Sequence, residues 1–400
     1  MASMPPAVLV VAALDTKAEE AAFLREELRR AGCRALLVDV GMRGPPGVEP
    51  DVTRDEVVEL AGGRLSDEYP KLLGEVKEGL VKLALNLLAK GELAGVIGIG
   101  GGVGTFIATA AMRALPFGLP KFMLSTVASR DVGEFVDTSD ICMMHCVVDL
   151  AGLNDLSRRL LSEAAWAVAG MVKGAQPLQL SGEPRVGVSM FGYTTHCVEK
   201  LRLRLRGRGL QMVAFHANGV GGSAMEEFVK QGLLDAVLDV TLHELLDAMY
   251  GGFCGNVKPN RLEEAGRRGI PLVAAPGGLD CIVLRELRGE LAGRPHFKKD
   301  FRFVVRSSRE DLSALAKLIA SKLGRARGPT RFVVPLKGWS EVDAEGTGFY
   351  DRGLIDFFVE ELKRSLSSSV PVVEVDAHIN EEAFADALME ELEEALRGCR

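Results

Sequence analysis

The sequence has no apolar run long enough to cross a bilayer. Its amino-terminus also lacks a basic stretch leading into a cleavable apolar segment, because residues 8–14 run straight into Asp15 and Lys17. A cytoplasmic protein is the expectation. The seven cysteines are an odd number at irregular spacing with no C-x-x-C pair, which argues against a disulfide framework and for free thiols in a reducing compartment. Positive charge is not in excess either: the net charge is −7, and the basic run at 202–208 falls on one helix as a solvated face. That sets nucleic acid aside as the main partner. Missing, too, are the standard phosphate fingerprints. No lysine follows the glycine-rich turn as a Walker loop requires, and no register gives Gly-x-Gly-x-x-Gly.

What is present is a chain of 400 residues, 47% apolar and 26% charged, enough for two buried cores. Short apolar runs alternate with helical periodicity through the first half: strand 8–13, helix 17–31, strand 35–40, helix 68–90, strand 94–99, helix 103–114, strand 120–125, strand 141–149 and helix 153–172. Two Pro/Gly-containing breaks follow, at 173–177 and 181–184, and the same grammar then resumes to residue 397. The predicted fold is therefore α/β, with two Rossmann-like domains over 1–178 and 183–400, each built on a mostly parallel, doubly wound sheet.

Residues 98–105 read GIGGGVGT, five glycines in eight residues between an apolar run and a helix. A strand end, a backbone stripped of side chains and a helix start put bare N–H groups and a positive helix end at one point, where an anion can sit. In open parallel sheets ligands collect outside the carboxyl ends of strands. Pooling the polar residues at those ends gives Asp15, Thr16, Asp39, the glycine turn and the run 125–129 in the first half. These donors suit phosphate and ribose better than bond-breaking. The second half pools Thr194, His196, His216, a second glycine turn at 219–222, Thr241, His243, Glu244, Arg261, Asp280 and Lys337. Imidazoles near carboxylates and an arginine could move protons on an anionic substrate, with His216 and Glu244 as the candidate catalytic pair. Cys142, His145 and Cys146 lie on a strand-like segment whose faces alternate, so no metal site is expected there.

The stretches ALDTK (13–17), GIGGGVGT (98–105), the long block 124–171, FGYTTHCV (191–198), FHANGVGGSAMEE (215–227) and 261–280 together resemble the Tm-1-like ATP-binding proteins, also called the UPF0261 family. The resemblance covers essentially the whole chain. It implies a dimerising protein of two Rossmann-like halves that holds ATP in the first. Carried over by motif, Gly100, Gly101, Gly102, Gly104 and Thr105 would cradle phosphates, while Asp15, Thr16, Ser125, Thr126 and Ser129 would line the pocket. Mg²⁺ would be held by Asp131 or Asp140 if either faces that cleft. The chain departs from the family pattern at Gly102-Val103, at Arg130 and at Leu242-His243. Two functions follow as expectations. One is an ATP-binding protein, a homodimer or higher oligomer, whose second domain or domain cleft acts on an anionic small molecule. The other is a non-catalytic, nucleotide-gated interaction protein with a protein partner.

Overall fold

The computed structural model describes residues 5–176, 178 and 180–398. The chain separates into two compact units, one running to residue 179 and the other starting at residue 180.

The first unit contains β1 (Ala7–Ala12), α1 (Ala18–Arg30), β2 (Arg34–Asp39), α2 (Arg54–Ala61), α3 (Tyr69–Ala89), β3 (Leu93–Gly100), α4 (Gly102–Ala114), β4 (Lys121–Ser125), α5 (Gly133–Val136), β5 (Cys142–His145) and α6 (Asp155–Gly174). Its strands pair in the order β2-β1-β3-β4-β5, every pair parallel. All six residues of β1 are buried, as expected where helices cover both faces of a sheet. Alternation divides them: Val8 and Val10 pack on α1 and α6, whereas Leu9 and Val11 pack on α2, α3 and α4.

The second unit contains β6 (Arg185–Met190), α7 (Thr195–Gly207), β7 (Gln211–His216), α8 (Gly221–Lys230), β8 (Ala236–Thr241), α9 (His243–Met249), α10 (Glu264–Arg268), β9 (Leu272–Gly277), β10 (Cys281–Leu284), β11 (His296–Lys298), β12 (Phe303–Arg306), α11 (Arg309–Leu323), β13 (Thr330–Pro335), α12 (Arg352–Ser365), β14 (Val372–Val375) and α13 (Glu382–Arg397). Six strands form a parallel sheet, β14-β13-β9-β8-β6-β7. Counted within each sheet, the first runs second, first, third, fourth, fifth and the other does the same with a sixth strand added, so each reverses direction between its first and third strands. That reversal is the place where such sheets open a ligand crevice.

Both parallel, doubly wound sheets agree with the sequence reading. Three features differ from it. A small antiparallel sheet, β10-β12-β11, is inserted between β9 and α11, and the apolar run at 302–306, which by its pattern reads as one more strand of the main sheet, belongs to this one instead. The helix that the sequence periodicity suggests over 260–268 is confined to α10, because residues 260–263 form a turn in which Arg261 is buried and Leu262 is left-handed (φ 70°). The strand read at 141–149 stops at His145, since Cys146 turns inward and its thiol donates to the Val148 carbonyl.

Candidate functional site

A cleft of about 290 Å³ opens at the reversal point of the first sheet, walled by the loops after β1, β2 and β3. It gathers Asp15, Thr16, Gly100, Gly101, Gly102 and Gly104 from the sequence-derived set, together with Lys17, Met42, Arg43, Tyr69 and Val103. The glycines divide by what a β-carbon would meet. At Gly98 it would press within 2.6 Å of Ala108 and 2.7 Å of the Met123 sulfur, so that glycine lets α4 pack on the strand. Gly100 and Gly104 close on the loop itself, at 3.2 Å from the Gly104 Cα and 3.3 Å from the Ile99 carbonyl respectively. Gly101 would meet only the Thr126 hydroxyl, at 3.5 Å, and Gly102 nothing within 4 Å. Packing requires neither of these two. Their bareness leaves main-chain amides open to the cleft.

Those amides open the first turn of α4, where helix geometry supplies no internal acceptor, and no side chain caps it. The loop is nevertheless firmly held from behind. Thr105 Oγ1 donates to the Gly101 carbonyl (2.8 Å) and lies 2.6 Å from Ser125 Oγ, both side chains being fully buried, and the Thr126 amide donates to the Gly100 carbonyl. Thr105 and Ser125 are thus braces behind the loop, outside the cleft lining. Ser129 is exposed and also stands outside it. Asp15 Oδ2 accepts from the amides of Met42 (2.9 Å), Arg43 (2.7 Å) and Gly44 (3.3 Å), which fixes the loop after β2 as the opposite wall. Lys17 also lines the cleft, and its ammonium donates to the Leu150 carbonyl.

Neither Mg²⁺ candidate faces this cleft. Asp140 precedes β5, so a parallel sheet places it at the amino end of β4, where it pairs with Lys121 (2.6 Å) and accepts from the Gly118 amide. Asp131 caps a turn by accepting from the Gly133 amide.

In the second unit the glycine turn at 219–222 follows β7, an edge strand, and its amides are already occupied. Gly219 and Gly222 donate to Glu244 Oε1 at 2.8 and 3.2 Å. Glu244 is fully buried against Arg261 Nε (3.0 Å). Arg261, equally buried, also pairs with Asp239 and Glu226 and donates to the Thr241 carbonyl. One cation thus sits among three carboxylates, and burial, only partly offset by Arg261, pushes Glu226 up to about 7. His216 is exposed and lines a different space, a cavity of about 140 Å³ with Phe191, Tyr193, Lys299 and Arg302. The two candidate catalytic residues do not share that cavity.

The first unit is therefore a parallel, doubly wound α/β domain with a crevice at its strand reversal, and a second α/β domain is joined in the same chain. Residues 6–177 match the model described as Uncharacterised protein family (UPF0261) N-terminal domain, and residues 183–396 match its C-terminal counterpart. The chain belongs to the UPF0261 family. It is 37% identical to a UPF0261 protein of Clostridium tetani, over 96% of this chain and 98% of that one. It is also 37% identical to the UPF0261 protein mlr3387 of Mesorhizobium japonicum, over 95% and 97%. A tomato (Solanum lycopersicum) relative, ToMV susceptible protein tm-1(GCR26), is 32% identical over 97% of this chain and 55% of its own length.

Proposed function

We propose that the first domain binds ATP in the cleft at its strand reversal, the polyphosphate lying on the amides at the start of α4. The observation that carries this reading is the pair Gly101 and Gly102, bare where packing does not require it, beside an uncapped helix start. Lys17 and Arg43 add positive charge, and exposed Tyr69 and Val103 offer an apolar wall for a base. Among the described residues lining the cleft, Asp15 is the only carboxylate, and three amides already hold it. This favours a protein that is set by nucleotide over one that consumes it, because no free base stands in the cleft.

Titration calorimetry and thermal unfolding with ATP test the reading on the full chain. Unsubstituted protein should gain about 2.7 kcal/mol at one hundred times the dissociation constant. Gly101→Val, whose extended backbone accepts a β-branched residue, should stay folded and lose that gain. No shift in the unsubstituted chain, or an equal shift in the variant, refutes the assignment.

A further inference from the structure

Below the antiparallel sheet of the second unit, four side chains of metal-ligating type converge away from solvent. His243 and Asp247 stand one turn apart on α9, Cys254 follows in the next loop, and Cys281 opens β10. Ligand atoms of His243, Asp247 and Cys254 all lie within 4.8 Å of one another, and both thiols interact with the imidazole. His243, Asp247 and Cys281 are 0% exposed and Cys254 is 2% exposed.

The imidazole is oriented as a ligand is. Its Nδ1 lies 3.0 Å from the Gly278 carbonyl, a contact that holds a proton on Nδ1 and turns Nε2 inward. Among the described residues Nε2 is fully buried, makes no well-formed hydrogen bond, and faces Asp247 Oδ2 at 3.4 Å. Asp247 is anchored too: Oδ2 accepts from the Cys254 amide and Oδ1 from the Val283 amide, both at 2.8 Å, which leaves each oxygen a further lone pair. Phe191 stacks on the imidazole at 4.1 Å and closes the cluster on that side.

We propose that His243 Nε2, Asp247 Oδ2 and Cys254 Sγ, with Cys281 Sγ in the fourth position, form a closed structural site for Zn²⁺. Tetrahedral zinc with N, O and S ligands needs donor separations of roughly 3.5 Å, so the His243, Asp247 and Cys254 atoms need only contract slightly, and Cys281, which also meets the imidazole, must rotate in to complete the set. A neutral imidazole, one carboxylate and two thiolates balance a divalent ion to within one charge; Asp247 favours the imidazolium in the metal-free chain, so the Nε2 proton and the two thiol protons leave to solvent on binding. Mixed nitrogen and sulfur donors select zinc over magnesium or calcium. The ion would tie the start of α9, the loop through Cys254 and the root of β10 together. That root carries the sheet whose β11–β12 turn presents Lys299 and Arg302 to the cavity containing His216.

The test is to express the full chain in zinc-supplemented and, separately, cobalt-supplemented medium and purify it under reductant. The expected result is one metal ion per chain and, with Co²⁺, a tetrahedral visible spectrum with a thiolate-to-cobalt charge-transfer band. A Cys33→Ser, Cys142→Ser, Cys399→Ser variant should keep that spectrum, and Cys254→Ser should lose the charge-transfer intensity that its thiolate supplies. If Cys254→Ser fails to fold, the unsubstituted and triple-variant spectra still decide. Protein with no bound metal and no charge-transfer band, a spectrum lost in the triple variant, an unchanged one in folded Cys254→Ser, or a Cys254–Cys281 disulfide in its place overturns the proposal.

Discussion

The two glycine turns look alike in the sequence and do opposite things. In the first, the amides that open α4 face a cleft and no side chain among the described residues caps them. In the second, the protein has supplied its own anion, and Glu244 fills the turn with a carboxylate anchored by Arg261. A β-carbon on Gly222 would lie 1.9 Å from Glu244 Oε2 and 2.1 Å from Arg261 Nε, whereas one on Gly102 would meet open space. Glycine density alone therefore marks close backbone approach. What approaches, an internal side chain or a ligand, depends on whether an acidic residue elsewhere in the fold can reach the amides.

The largest effect should come from disturbing the second turn. Gly222→Ala must displace the Glu244–Arg261 pair, and Arg261→Met leaves Asp239, Glu244 and Glu226 buried without their cation. Each should cost about 3–5 kcal/mol, read as a collapse of the urea midpoint of the second unit. A variant of either kind that unfolds at the native midpoint would erase the contrast.

Next in size is a pH effect from the same cluster. Glu226 moves from an ordinary value of 4.5 to about 7 because burial outweighs Arg261. Between those two pH values the folded chain holds more protons than the unfolded one, so this group's contribution to stability is intact below pH 4.5 and falls as pH rises through 7. The loss is on the order of 3 kcal/mol. Glu226→Gln should flatten that part of the profile between pH 5 and 8 in urea titrations. An unchanged slope would mean that Glu226 is ionised throughout. Smaller again, Lys17→Met should weaken ATP binding by about tenfold, near 1.4 kcal/mol, and reduce its salt dependence in calorimetry.

Much of this was legible in the sequence, for identifiable reasons. Buried parallel strands such as β1 announce themselves as unbroken apolar runs, and the strand–turn–helix at 98–105 carries its own signal. The antiparallel insert did not, because β11 is three exposed residues and β10 four buried ones, each too short for a period. Lys17 was visible only as the first residue of the helix read at 17–31 and as the last of the ALDTK stretch. That it stands in the glycine cleft follows from strand order, which no local pattern encodes. The cluster of His243, Asp247, Cys254 and Cys281 spans 39 residues and two loops, so no motif spacing could flag it. Glu244 looked reactive because acidic residues at strand ends often are, yet Arg261, 17 positions later, binds it fully.

The smallest effect sharpens the contrast most. Gly102 has helical backbone at the first position of α4, and nothing within 4 Å of where its β-carbon would stand. Alanine there loses less backbone entropy on folding and removes no contact, so Gly102→Ala should stabilise the first unit by about 0.5–1 kcal/mol, a small rise in its unfolding temperature. The same methyl group enters the cleft, and ATP affinity should fall while stability rises. Opposite signs from one substitution separate a glycine kept for a ligand from one kept for the fold. A fall in stability, or an unaltered affinity, would place Gly102 in the same class as Gly222.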